Sequence, residues 1–173
     1  MPSRVRRAIF VTALGLSCVL PAVQSAHAAL GSSPMTPPAD AAVSSHSVSP
    51  VAVTHAASTA ASTAASASSS YTVRETTLGN GTVVREYLAA DGTVFGLAWR
   101  GRQMPNLNSL LGSYFPQYQT GVQAARAVRG GHGPVAVEQA SLVVHSGGHM
   151  GAFVGQAWLP QALPAGVSGS DIQ

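Results

Sequence analysis

The residues with the clearest capacity for chemistry are His145 and His149, which flank a Ser-Gly-Gly stretch in "LVVHSGGHMGAF" (Leu142 to Phe153). A three-residue loop Ser146-Gly147-Gly148 would set the two imidazoles opposite one another on one face of a hairpin, where they could share zinc or copper. A two-residue Gly147-Gly148 turn would instead oppose His145 to Met150 and send the rings to opposite faces. Apolar patterning does not decide between these registers. Two imidazoles are an incomplete set for zinc, which takes three protein ligands at catalytic sites and four at structural ones. Copper accepts fewer at weak surface sites. His132, in "RGGHGP", is the only further histidine nearby in sequence. The reading of "HSGGH" is therefore a glycine-rich hairpin tip with solvated histidines, and no cofactor is expected.

Use of either histidine as a general base needs a carboxylate or nucleophile beside it. Glu75 and Glu86 are better matched to Arg85 and Arg74, Asp91 belongs to a turn, and Glu138 has no evident partner in the sequence. No G-x-S-x-G elbow and no phosphate-cradling glycine loop occurs. A catalytic set is thus not expected. A second candidate is the aromatic group Tyr114, Phe115 and Tyr118, which could line a carbohydrate or peptide groove, although its helical spacing favours core packing.

The elements that would position these residues follow from an export pattern at the N-terminus. Arg4, Arg6 and Arg7 precede an apolar run from Ala8 to Leu20 and the triplet Ala26-His27-Ala28. That is the n-region, h-region and A-x-A site of a secretory signal peptide over residues 1–28. The run falls short of the ~20 apolar residues that span a bilayer, so no transmembrane span is expected after cleavage. A twin-arginine route through Arg6-Arg7 and a lipoprotein acceptor at Cys18 fit less well. The expected location is periplasmic or secreted.

Export changes how the composition reads. Beyond Ala28 lie six arginines and six acidic residues, so the formal charge there is zero and the basic footprint of a nucleic-acid binder is missing. The single cysteine, Cys18, falls in the signal, so the exported part has no disulfide.

Residues 29–70 are rich in Ala, Ser, Thr and Pro, including "HAASTAASTAASASSS". Such side chains bury too little apolar surface to offset backbone ordering, which predicts a disordered tether. The domain is expected over 71–165, with an irregular tail at 166–173.

Its start, "YTVRETTLGNGTVVREYLAADGTVFGLAWR", predicts three strands joined by Asn-Gly and Asp-Gly turns. A loop Gly79-Asn80-Gly81 opposes Glu75 to Arg85 and Arg74 to Glu86; the shorter loop would oppose two glutamates. With a two-residue Asp91-Gly92 turn, Leu78, Val84, Leu88, Phe95, Leu97 and Trp99 share a face. Leu107, Leu110, Leu111, Tyr114, Phe115 and Tyr118 form a helical stripe to cover it. Pro116 predicts a break, with one helix to about Tyr114 and a second over Gln117 to Val128. Val135 to His145 and Met150 to Leu159 are expected to form a C-terminal hairpin. The fold class predicted is α+β: a small antiparallel sheet, comprising a three-stranded meander plus that hairpin, packed by one or two helices.

The strings "YTVRETTLGNGTVVREY", "LLGSYFPQY", "GPVAVEQASLVVHSGGHMGAF" and "QAWLPQALPAGV" resemble the body of a family of short exported proteobacterial proteins known only as a domain of unknown function. The resemblance covers nearly all of Tyr71 to Val167. It implies an exported protein with one small domain, and brings no activity, cofactor or catalytic residue. Together these features suggest a non-enzymatic binding or assembly accessory of the cell envelope, whose partner is an envelope protein or polymer. The competing expectation is a metal-binding protein or small metal-dependent enzyme using His145 and His149.

Overall fold

The structure is a computed structural model that describes residues 30–49, 70–131 and 133–173. The expected signal peptide with its cleavage site, the later part of the expected tether (50–69) and His132 lie outside the described residues.

The strands are β1 (Ala42–Val48), β2 (Tyr71–Thr77), β3 (Val83–Leu88), β4 (Val94–Gly101), β5 (Val135–Glu138), β6 (Val143–His149) and β7 (Ala152–Trp158). They form one seven-stranded sheet in the order β1-β2-β3-β4-β7-β6-β5, with every neighbouring pair antiparallel. The expected meander plus separate hairpin is corrected accordingly: β4 pairs with β7 and welds both halves into one sheet. The fold remains α+β, but the sheet dominates it.

Three local readings explain the difference. The segment 135–145 is not one strand, because Gln139 and Leu142 exchange backbone hydrogen bonds and turn the chain between β5 and β6. The tip between β6 and β7 is Met150-Gly151, with His149 paired to Ala152 and Gly151 at φ 87°, so both registers proposed for "HSGGH" are replaced. Glycines 147 and 148 run on as strand; a Cβ on Gly148 would lie 2.2 Å from the Ala152 carbonyl oxygen, so this close approach requires glycine. Thirdly, residues 30–49, read as tether, form an arm and an edge strand. Leu30 is buried in the apolar core and Met35 packs against it, while the small side chains of β1 add little. Backbone pairing orders the rest: β1 along β2, and bonds from Leu30 N–H to the Leu110 carbonyl, Gly31 N–H to the Val94 carbonyl and Val94 N–H to the Ser32 carbonyl.

The β2–β3 register is the one the charges predicted, with Glu75 opposite Arg85 and Arg74 opposite Glu86. Asn80 Oδ1 accepts from the Thr82 N–H inside the loop. The β3–β4 loop is closed one residue wider than expected, by Ala89 and Thr93, and the register shifts at Tyr87/Leu88. Phe95 is thereby turned to the face opposite Leu97 and Trp99.

The sheet separates two apolar clusters. On one side, called face A, Val84, Val94, Leu97, Trp99, Val137, Val144 and Ala157 pack with Leu30, Leu110, Leu111, Val122, Leu142 and Leu159. The cover is α1 (Leu107–Leu111), a 3-10 turn at Gly112–Tyr114, α2 (Phe115–Arg129) and the N-terminal arm. Asn106 caps α1 by accepting from the Asn108 and Ser109 N–H groups. Pro116 sits in the first turn of α2, where its missing N–H costs no helical bond, so the break falls just before it. On the other side, face B, Tyr71, Val73, Tyr87, Phe95 and Ala98 are closed by the C-terminal segment through Ile172. The expected irregular tail is therefore a packed lid, pinned by hydrogen bonds from Arg85 Nη1 and Tyr87 Oη to the Gln173 carbonyl oxygen.

Candidate functional site

Antiparallel register lines residues up in rows across the strands. One row on face B reads Glu75, Arg85, Ala98, Gln156, His145, Ala136, one residue from each of β2, β3, β4, β7, β6 and β5. The neighbouring row reads Val83, Arg100, Val154, Gly147. The C-terminal lid covers the row on the other side, where a Cβ on Gly96 would strike Ile172 and one on Gly169 would strike Trp158. It stops short of Arg100 and Val154, which leaves these central-strand residues exposed.

The uncovered half of face B is a groove. One hollow of about 510 Å³ lies over Glu75, Arg85, Ala98, Arg100, Val154 and Gln156, edged by Ser170 and Gln173. A second of about 490 Å³ lies over Ala136, His145, Gly147, Val154 and Gln156. Val154, Gly155 and Gln156 belong to both, so the two are continuous. At ~4.8 Å per strand, the groove runs about 19 Å from Arg85 on β3 to Ala136 on β5. Its floor is flat at Ala98 and Ala136, and polar groups rise at intervals between them.

Within the groove most charges are already matched. Arg85 Nε donates to Glu75 Oε2 at 2.8 Å. His145 Nε2 lies 3.1 Å from Glu138 Oε1, and its ring meets Trp158 edge-on with centroids 5.3 Å apart. The Arg100 guanidinium makes no hydrogen bond or ion pair among the described residues. It is the donor left for something else. An arginine fork binds carboxylate or carbonyl oxygens in pairs, and the Gln156 amide in the adjoining row adds both donor and acceptor.

The expected site residues fall differently from their sequence reading. His145 and His149 are four residues apart on the same strand, hence about 13 Å apart along it, too far for one ion to span. His149 is exposed, with Nδ1 3.0 Å from the Met150 carbonyl oxygen. Among the described residues no three His, Cys, Asp or Glu side chains gather into a metal-binding group. Glu138, without a partner in the sequence, is the partner of His145; the hydroxyl next in the chain, Ser146, points to face A, where its Oγ lies 3.4 Å from Tyr118 Oη. Tyr114, Phe115 and Tyr118 pack against the face A core. Phe115 and Tyr118 also edge a hollow of about 480 Å³ between α1 and α2. Arg100 and Gln156 were not singled out in the sequence, because only the long-range β4–β7 pairing brings them together.

Two other carboxylates have structural roles. Glu86, fully buried on face A, accepts from the Met35 N–H at 2.7 Å through Oε1, while Oε2 lies 3.6 Å from Arg74 without a hydrogen bond. Burial raises its pKa above the usual carboxylate range, against the lowering pull of Met35 and Arg74. Asp91 is lowered by the Thr93 N–H that it accepts in the β3–β4 turn.

The chain matches a family described as "Protein of unknown function (DUF2844)" over residues 26–172, and it belongs to that family. No match is found among curated proteins or among solved structures. The matched span opens ahead of Leu30, so the N-terminal arm and β1 fall within the family's span. Among the described residues no helix is long and apolar enough to cross a membrane.

Proposed function

We infer that this member of a family of unknown function is a non-enzymatic binding accessory of the cell envelope. It is exported by the signal pattern at 1–28 and holds an elongated, acceptor-rich chain in the face B groove. The observation that carries this reading is Arg100: a guanidinium unpaired among the described residues, beside Gln156, on central strands of a sheet face that the C-terminal lid leaves open. An antiparallel sheet can leave one face to solvent, and here Val154, 51% exposed, adds an apolar contact beside the Arg100 guanidinium and the Gln156 amide. The length and shallow form of the groove suit a polymer laid across the strands better than a small substrate held on all sides. Against catalysis stands the His145–Glu138 pair, since Ser146 turns to the other face.

Co-sedimentation with purified peptidoglycan sacculi, as the envelope polymer probed, tests this. Retention of the wild type that weakens in both Arg100→Ala and Gln156→Ala supports it. No retention, or retention unchanged by both substitutions, contradicts it.

A further inference from the structure

We propose that β1 is a self-association edge through which two copies of the chain pair antiparallel, Ser45 against Ser45, to join their sheets into one.

The two rims of the sheet are built differently. At one rim β5 has only four residues, follows Pro134 and ends in Glu138. It also lies under α2, where Gly121 lets the helix approach so closely that a Cβ would stand 2.5 Å from Val137 Cγ1. A short, charged, helix-backed strand is a guarded edge. At the other rim β1 runs seven residues, AVSSHSV, in unbroken register with β2 from Ala42↔Thr77 to Val48↔Tyr71. It carries no proline, bulge, lysine or acid, and all its residues but the half-buried Val48 are exposed. Among the described residues nothing pairs with its outer rim. Alternate N–H and C=O groups along such a rim point away from the sheet and can template another strand.

Its composition selects the occupant. With no formal charge on β1, a charged peptide would find no counter-charge there, whereas two copies of the strand meet without repulsion. A two-fold axis through Ser45 gives every residue from Ala42 to Val48 an opposite number, Ala42 to Val48 and Ser44 to His46. The axis is perpendicular to the sheet, so face A continues as face A and the open groove of each copy stays on the same side. Pairing through one short strand buries little surface, which places the dimer among reversible, concentration-dependent ones.

The test is sedimentation velocity across the micromolar to millimolar range on the wild type, Ser45→Lys, Ser45→Glu and an equimolar mixture of the two variants. Ser45 is exposed but lies across β1–β2 from Arg74, so the melting temperature of each variant is measured alongside, with Ser45→Glu expected at or above the wild type and Ser45→Lys slightly below it, both folded at the temperature of the sedimentation runs. The proposal expects the wild type to pass from monomer to dimer, each variant alone to stay monomeric over the same range because like charges oppose, and the mixture to recover the dimer. A wild type that stays monomeric throughout overturns it. So does a Ser45→Lys chain that dimerises as readily as the wild type, or a mixture no more associated than its components.

Discussion

Replacing Leu30 by alanine separates a docked N-terminal arm from a solvated tether. Leu30 is 1% exposed and sits in the face A cluster with Val94, Leu97, Leu110 and Leu159. Burying a leucine side chain is worth ~1.5–3 kcal/mol, and the cavity left behind raises the loss on truncation to ~2–5 kcal/mol. The backbone bonds at Leu30, Gly31, Ser32 and Met35 hold the arm in place and limit how far it can collapse into the space. A loss of about 3 kcal/mol follows, and at ~2–4 °C per kcal/mol for a domain of this size the melting temperature should fall by roughly 6–12 °C. Circular dichroism melts of the chain from Ala29 onward, with Val43→Ala as an exposed control, would read this directly. A Leu30→Ala loss under ~0.5 kcal/mol, equal to that of a surface substitution, would refute the docked arm.

Gly121→Ala reverses the usual sign. A glycine-to-alanine change inside a helix ordinarily gains ~1 kcal/mol, but here the methyl would meet Val137 Cγ1 and should cost ~1–3 kcal/mol by pushing α2 off β5; a stabilised variant in denaturant melts would show that this contact is loose. Burial raises the folded pKa of Glu86 above its unfolded value, so the folded state holds the proton more tightly. Its stability penalty is then absent below the unfolded pKa, develops as pH rises through the folded one, and is full above that. Relative to Glu86→Gln, the wild type should gain stability as pH falls from neutral, and parallel stability profiles would contradict this. Zinc at 100 times its dissociation constant would add ~2.7 kcal/mol if one ion joined His145 and His149. Given their placement along β6, wild type and a His145→Ala, His149→Ala double variant should respond to zinc alike, and a zinc-dependent rise in melting temperature confined to the wild type would contradict that placement.

What the sequence makes legible is local. The β2–β3 register could be read because Arg74, Glu75, Arg85 and Glu86 sit around a loop with Asn-Gly at its centre, and only one loop length pairs opposite charges. The helical break could be read from Pro116. The β6–β7 tip was misplaced because glycine serves two ends: in "SGGHMG" Gly148 permits close backbone approach in a strand that Gly147 continues, and Gly151 makes the turn. The β5–β6 turn at Ala140-Ser141 carries none of the Gly, Asn or Pro that mark turns, so β5 and β6 looked like one strand. The arm and β1 escaped for a different reason. Their order comes from hydrogen bonds to distant partners and from burial of Leu30 among residues remote in sequence, and a single leucine amid small side chains announces neither. The same holds for the groove, whose Arg100 and Gln156 lie far apart in sequence and adjoin only through β4–β7 pairing.

Amide shift mapping by heteronuclear NMR, on titration with soluble peptidoglycan fragments, tests the binding reading at residue level. The groove predicts saturable shifts at Ala98, Arg100, Val154, Gln156 and His145, with β1 and α1 unmoved. No shifts, or shifts gathered instead on the α1–α2 hollow around Phe115 and Tyr118, would contradict it.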